Sequence, residues 1–511
     1  MPKNIVVFSD GTGQDGGVRP EQRVSNIYKM YRVSRDHPDS AIDPSEQVAF
    51  YDAGLGTDIG ATALTAPSRF VQKLLGSVTG QGIKRNIAEC YQFIINHYEP
   101  GDRIFLFGFS RGAYTVRCVA NLLMLCGIPT KGASGPLMRF RKMVRDIAWE
   151  AVDTVLEHGA GHPRAEFEDE RLELARRFQL QYGSGDGSDS NAAPYFIGVF
   201  DTVAALGASG MRRLVIHVGL TIGVSIAALL GLLLPAGLLA EMLKAAFGAG
   251  FWLTWVLLVL IGTVLIDLLF WHNQKAANLK TIRDFPNKGD VHSHYAEWKG
   301  DNFDRLLSRH VSFARAANAI DETRKDFDRV GWGGVQQGVA EIPGQIRLIQ
   351  LWFAGNHSDV GGSYTEPESR LSDIALGWMC EQATTVPDGL KTGPVFLNGT
   401  KMPNTGDAGQ ALNIYAAADG VQHSQIAGMH DTLENYAERL PKWGWLQRLV
   451  ANQNWEIKIR TITHDAIVHP TVETRFALPS VIQCADVGPY RPEALRNHDK
   501  FKDRYPPRST P

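Results

Sequence analysis

Residues 104–120 read Ile104-Phe105-Leu106-Phe107-Gly108-Phe109-Ser110-Arg111-Gly112-Ala113-Tyr114-Thr115-Val116-Arg117-Cys118-Val119-Ala120. An apolar run ends at Gly108, a helix-like run begins at Ala113, and Gly-x-Ser-x-Gly stands between them. In a chain with 51 glycines among 511 residues, those letters alone carry little weight. Their setting carries more, because a strand, a sharp glycine-flanked turn and a helix together make the elbow that exposes a nucleophilic serine. Ser110 would stand at the helix N-terminus, where the Arg111 N–H can stabilise an oxyanion. A serine that merely caps the helix is the alternative.

Similar short apolar runs recur at Ile5–Phe8, Val48–Tyr51, Tyr195–Phe200 and Ile346–Trp352, with helix-like stretches at Ile83–His97 and Ala113–Cys126. This alternation predicts an α/β protein with a mostly parallel sheet flanked by helices. Such sheets gather their chemistry at the carboxyl ends of the strands. Arg164–Arg177 reads as an exposed helix, and residues 182–194, rich in Gly, Ser, Asp and Asn, read as a surface loop. No internal repeat is present.

A serine nucleophile needs a base, and the base needs an orienting acid. Asp201 directly follows the strand ending at Phe200, and His357 follows the strand ending at Trp352 across Phe353-Ala354-Gly355-Asn356. The order Ser110, Asp201, His357 is that of α/β-hydrolases. His292 and His294 read as part of a polar loop and His310 as part of a helix-like run, so surface or packing roles are expected for them. Asp10-Gly11-Thr12-Gly13 forms another tight loop after the first strand. Gly11 or Thr12 could supply a second oxyanion donor, while Asp10 could orient the loop or bind a cation with Asp359; a plain turn is the alternative. Tyr51–Thr57 is a comparable loop.

Charge is balanced, with 52 Lys+Arg against 54 Asp+Glu, so no global field favours nucleic acid. The five cysteines lack CxxC spacing and suggest neither a disulfide framework nor a zinc site. The N-terminal apolar stretch is too short for a signal peptide before Asp10. One region departs from the soluble average. Leu214–Ala240 spans 27 residues without formal charge and Ala245–Ile266 another 22, each long enough to cross a bilayer. Glu241 and Lys244 lie between them, near Pro235, Gly237, Gly248 and Gly250, which reads as a tight hairpin. Arg212, Arg213, Lys275, Lys280 and Arg283 flank the spans and would keep both ends cytoplasmic. Trp252, Trp255 and Trp271 suit interfacial positions, and Asp267 is expected about one turn from the second exit.

Ser9-Asp10-Gly11-Thr12, the Tyr51–Thr57 loop, Gly108–Ala113, Phe200-Asp201-Thr202-Val203 and Asn356–Gly362 resemble successive blocks of the catalytic domain of type VI secretion phospholipase effectors. His469–Arg475 and Tyr490-Arg491-Pro492 are similar to that family's C-terminal end. The resemblance implies an α/β-hydrolase fold, a Ser110–Asp201–His357 triad and phospholipase A-type ester cleavage. The long hairpin stands where effectors carry membrane-targeting insertions. Because an integral hairpin suits passage through a secretion needle poorly, an exported toxin is not expected.

The sequence therefore predicts a hydrolase body in two parts, residues 1–211 and 276–511, interrupted by a transmembrane hairpin at 212–275. The expected activity is a membrane-anchored phospholipase A-like serine hydrolase. Its substrate would be membrane phospholipid, its anchor Leu214–Phe270, with no cofactor, metal or nucleic acid. A soluble-substrate esterase or thioesterase, or a non-catalytic membrane scaffold, remain the alternatives.

Overall fold

Six segments pair side by side in one sheet: β1 (Asn4–Ser9), β2 (Gln47–Asp52), β3 (Arg103–Phe109), β4 (Phe196–Phe200), β5 (Phe313–Ala319) and β6 (Leu348–Phe353). The computed structural model describes residues 2–11, 23–54, 81–203, 210–248, 250–298, 307–333, 340–342, 345–424, 457–484 and 486–507. Strand order is β2-β1-β3-β4-β5-β6 and every pairing is parallel. The protein is therefore a mixed α/β structure, as its alternating pattern predicts.

Parallel strands are joined by crossovers, so helices cover both faces and both faces must be apolar. Ile5, Val7, Ile104 and Leu106 point into one core, against α2 (Gln81–His97) and α3 (Arg111–Cys126). Val6, Phe8, Phe105 and Phe107 point into the other, against α1 (Asn26–Ser34) and α9 (Arg370–Thr385). Lys142–Glu150 and Arg164–Tyr182 form α4 and α5, the latter extending the exposed helix read from the sequence. The chain steps from β1 outward to β2, then crosses back to β3 on the other side. The order thus reverses between β1 and β3, and it is at such a point, beyond the strand ends, that open α/β sheets form a ligand crevice. Ser9 and Asp10 leave one side of this point, and Phe109 and Ser110 the other.

One strand escaped the sequence pattern. Segment β5 reads Phe-Ala-Arg-Ala-Ala-Asn-Ala, a composition that favours helix, yet all seven residues are buried in the sheet. Its small side chains fit between bulkier neighbours, and tertiary packing overrides propensity. His310, expected in a helix-like run, lies in the turn before this strand.

The apolar region forms two paired helices, α6 (Gly210–Phe247) and α7 (Phe251–Asn278). Both are long and apolar enough to cross a membrane, and only 11% of the most apolar window of each is buried. A core helix of a soluble protein would be covered. The first helix runs through Pro235, Glu241 and Lys244 to Phe247, so the connection to α7 comes later than the sequence suggested. Trp255 Nε1 donates to the Leu233 carbonyl at 2.9 Å, in the turn that Pro235 disturbs. Because α7 continues to Asn278, Asp267 lies about three turns from the end of the helix. Its carboxylate faces α6 and accepts from Ser225 Oγ at 2.6 Å. Lys280, expected among the flanking positive charges, instead turns inward to Asp153 and Glu157 at 2.7 and 2.6 Å.

The contact between β1 and the start of α3 leaves no room for a side chain. A Cβ on Gly112 would stand 2.1 Å from the Ser9 carbonyl oxygen, and one on Gly108 2.5 Å from the Gly112 carbonyl oxygen. Both obstacles are backbone, so neither can swing aside. Gly112→Ala is expected to destabilise by about 2 kcal/mol or more, lowering the thermal midpoint by several degrees. A midpoint within one degree of wild type would contradict this packing.

Candidate active site

Ser110 sits between the last residue of β3 and the first of α3 with φ 58° and ψ −123°. A serine gains nothing by itself from that conformation, which costs on the order of 1–3 kcal/mol and persists only where the surroundings impose it. The Ser110 N–H donates to the Phe200 carbonyl at 3.1 Å, which ties the turn to β4. Its side chain makes no capping bond, so the helix-capping alternative is not realised. Arg111 is the first helical residue, and its N–H lacks an intrahelical acceptor. Burial lowers the Arg111 guanidinium to about 10.

Asp201 follows β4 with φ 36°, and its N–H donates to the Ala317 carbonyl of β5. Its carboxylate is fully buried and receives three kinds of donor. Ala319 N–H reaches Oδ1 at 3.0 Å, His357 Nδ1 lies 2.6 Å from Oδ2, and Arg460 forks onto both oxygens at 3.1 and 2.9 Å. Burial alone would raise this carboxyl. The Arg460 charge, the His357 contact and the Ala319 amide outweigh it and hold the group well below the usual carboxylate range.

His357 opens the short helix α8 (His357–Gly361), which Asn356 and Asp359 close in a capping box. The imidazole is stacked on Phe109, at 4.7 Å between centroids, and meets the edge of Phe327 at 5.1 Å. Phe109 is the residue before Ser110, so the ring lies one position from the serine. The bond to Asp201 fixes Nδ1 and leaves Nε2 buried without a hydrogen-bond partner. No hydrogen bond joins His357 Nε2 to the Ser110 hydroxyl; such bonds commonly close only when substrate binds.

The Asp10 loop lies against the serine. A Cβ on Gly11 would be 3.3 Å from Ser110 Cβ. Asp10 accepts from the Gly11 N–H at 2.7 Å, from Tyr51 OH at 2.7 Å and from Ser25 Oγ. Burial raises its carboxyl to about 6 against those three bonds. Gly11 N–H is thus engaged by Asp10 in this state. Thr12 and residues 55–57 of the second loop lie outside the described residues. Asp359 is also committed, to Asn356 N–H and to His423 through its N–H and Nδ1.

Several partners had no signal in the sequence. Arg460 reaches Asp201 across 259 residues with no motif around it. Glu322 accepts from the His357 N–H at 3.3 Å and is itself forked by Arg324, whose guanidinium lies 3.4 Å over Phe327. His292 and His294 fall on a strand, Val291–Tyr295, and not in a loop.

A parallel α/β sheet with a strained serine and a His–Asp pair at its carboxyl edge is an arrangement suited to hydrolysis. Residues 3–222 and 279–382 match the family profile described as "T6SS, Phospholipase effector Tle1-like, catalytic domain". The chain belongs to this family of phospholipase effector catalytic domains. The profile leaves out 223–278, most of the apolar helix pair, and stops before the C-terminal blocks at 469–475 and 490–492. Among curated proteins, the uncharacterized protein YEL023C of Saccharomyces cerevisiae is 24% identical over 473 residues, covering 85% of this chain. This chain spans 65% of that relative's length. Two solved structures are also similar. One is an uncharacterized protein from Pseudomonas aeruginosa, with 13% identity and a TM-score of 0.30, over 75% of this chain and 45% of that one. The other is the Tle1 effector bound to the VgrG spike of the type 6 secretion system, with 16% identity and a TM-score of 0.25, over 73% and 53%.

Beneath the Asp10 loop, Asp52 is buried, accepts from Ser9 Oγ at 2.6 Å and Asn86 Nδ2 at 3.0 Å, and is raised by burial to about 7. It binds its proton more tightly folded than unfolded, where such a group titrates near ~4. Its contribution to stability is full below that value and is lost as pH rises through about 7. Asp52→Asn keeps an acceptor for Ser9 and Asn86, so the variant should gain on wild type between pH ~4 and ~8, at about 1.4 kcal/mol per unit of the shift removed. Thermal midpoints across that range test it; a difference independent of pH would exclude the assignment.

Proposed function

We propose that the protein is a membrane-anchored serine hydrolase of the α/β-hydrolase type that cleaves carboxylic esters of lipids in the manner of a phospholipase A. The observation that carries this reading is Ser110, strained and uncapped at the reversal point of the sheet, beside an imidazole already bonded to a buried carboxylate. Membership of a phospholipase effector family supports the lipid substrate.

In this reading Ser110 Oγ attacks the ester carbonyl carbon while His357 Nε2 takes its proton. Asp201 holds the ring through Nδ1–H and stabilises the imidazolium that forms. The oxyanion meets the Arg111 N–H and, as the second donor, an amide of the Gly11–Thr12 turn, which requires Gly11 N–H to leave the Asp10 carboxylate if it is the one used. Collapse breaks the ester C–O bond, and the lysolipid alkoxide leaves with the proton held by His357. Water then adds to the acyl-enzyme, giving up a proton to His357, and the fatty acid departs as Ser110 Oγ is reprotonated. Residues 1–211 and 276–511 form the hydrolase body. Residues 212–275 form a hairpin that holds its active edge near the bilayer from the cytoplasmic side.

Fluorophosphonate should label wild type and not Ser110→Ala, with His357→Ala lowering turnover at least ~10³-fold. Labelling that survives Ser110→Ala would overturn the nucleophile assignment. Turnover on phospholipid vesicles, followed by product profiling, should fall sharply when residues 214–270 are deleted, while a soluble ester is still cleaved. Undiminished vesicle turnover would favour the soluble-substrate esterase.

Arg460 gives a finer test. Its guanidinium forks onto both oxygens of Asp201, the carboxylate that holds His357 Nδ1. Arg460→Met should lower kcat by about tenfold or more while KM stays within about twofold, because the base loses its orientation and the substrate none of its contacts. A kcat equal to that of wild type would mean that Arg460 serves only to hold the fold.

A further inference from the structure

Far from Ser110 in sequence, three side chains converge where the apolar helices rejoin the body. His158 lies in the turn before α5, Glu170 is on α5, and His294 is on the Val291–Tyr295 strand that follows α7. The ligand atoms of the three lie within 4.8 Å of one another. We propose that His158, Glu170 and His294 bind a zinc ion that staples the exit of the apolar helix pair to the α/β body.

The cluster has the features of a site and not of a surface charge patch. The His158 side chain is almost wholly buried, with Nε2 2.7 Å from Glu170 Oε2. His294 stacks on Phe167 at 3.9 Å and meets His158 edge-on at 4.5 Å, so its ring is held in place. Its Nδ1 is buried with no hydrogen-bond partner, an expensive state for a polar atom unless something fills it. Two imidazoles and a carboxylate are a donor set suited to zinc. His292 lies two residues from His294 on the same strand face and touches the other Glu170 oxygen at 3.1 Å, which orients the carboxylate.

Binding requires a small, countable rearrangement. Zinc bonds of about 2.0–2.2 Å put tetrahedral ligand atoms roughly 3.4 Å apart, so the three groups draw together. The ion replaces the proton shared by His158 Nε2 and Glu170, and the His158 ring proton moves to Nδ1. Binding through His294 Nδ1 moves that ring's proton to Nε2, so the Gly159 N–H, now 3.0 Å from Nε2, gives up this acceptor. Gly159, with φ 75°, belongs to a turn that can release that amide. No net charge is lost from the protein, and the dication is met by one carboxylate and two neutral rings.

The staple would join elements with no covalent proximity. His158 and Glu170 belong to the body, whereas His294 belongs to the strand pair Leu279–Arg283 and Val291–Tyr295 that α7 runs into directly. This proposal stands apart from the serine chemistry and does not require the chain to be a hydrolase.

The test uses the full chain in detergent, stripped with EDTA, dialysed against zinc sulfate and assayed by elemental analysis. About one zinc per chain is expected, retained in His162→Gln and lost in His294→Gln and in the near-isosteric Glu170→Gln. Cobalt in place of zinc should give a visible d–d band in wild type and none in Glu170→Gln. Added zinc should raise the thermal midpoint of wild type in a concentration-dependent way and leave Glu170→Gln unmoved. Wild type that retains no zinc, or variants that retain as much as wild type, would overturn the proposal. Fluorophosphonate labelling of the same samples reports separately on Ser110.

Discussion

The buried carboxylate of Asp201 is the constraint around which the candidate site is built. A charge removed from water costs several kcal/mol unless matched by donors of good geometry. Asp201 is matched by the Ala319 amide, the His357 ring and the Arg460 fork, which lie 118, 156 and 259 residues away in sequence. One atom group thereby fixes the end of β5, the start of α8 and the segment around residue 460 relative to one another. The same neighbourhood closes on itself. Arg460 also donates to the Phe327 carbonyl, Phe327 edges the His357 ring, and Glu322 accepts from the His357 amide while Arg324 covers Phe327. The imidazole is therefore held at its amide, at Nδ1 and on two sides of its ring, and Nε2 is the one nitrogen left over.

The strain at Ser110 has a steric origin on the opposite side of the reversal point. Two glycines let α3 start almost in contact with the end of β1, and the serine between them has no room to relax. That same closeness puts the first amides of α3, the positive end of its dipole, beside the Asp10 loop. Asp10 and Asp52 are both raised by burial, and they lie under the loop without salt-bridge partners among the described residues. The site thus combines donors on one side with carboxyls that are easily protonated on the other, while Asp201, paired with Arg460, stays charged throughout. Two kinds of acid within one site are separated by whether a cation reaches them.

What could be read from the sequence follows from the range of the interactions involved. Ser110 was legible because its turn is local: Gly108, Ser110 and Gly112 lie on one strand–turn–helix, and the physics that strains the serine acts over five residues. Asp201 and His357 could be singled out because one directly follows an apolar strand and the other follows one across a short turn. Strand β5 was not, because its alanines favour helix in isolation and only the neighbouring strands and covering helices make them a strand. Arg460, Glu322 and the histidine cluster were hidden for another reason. Each works through a partner more than ten residues away or on another element, apart from the local Glu322–Arg324 fork, and single-chain spacing carries no record of such pairs. The apolar stretches were plain in composition, but the length of α7 was not, because Trp271 to Asn278 loses its apolar character before it loses its helix.

That length matters for how the apolar pair would act on the body. Helix α7 ends at Asn278 and the next strand begins at Leu279, so no linker separates them. The strand is then riveted down: Lys280 reaches Asp153 and Glu157, Lys84 reaches the same Glu157, and Arg177 donates to the carbonyls of Arg283 and Asp284. Lys280 and Glu157 are buried, so this ion cluster is screened less by salt than a surface pair. Within the helix pair, Gly262 lets Leu232 approach closely and Ser225 bonds Asp267, so α6 follows α7. A flexible tether would let a hydrolase sample every orientation over a bilayer. A helix continuous with a strand that is salt-bridged to the body instead passes its tilt to the body, so in the membrane-anchored reading proposed above the depth and angle of α7 would set how Ser110 faces the lipid surface.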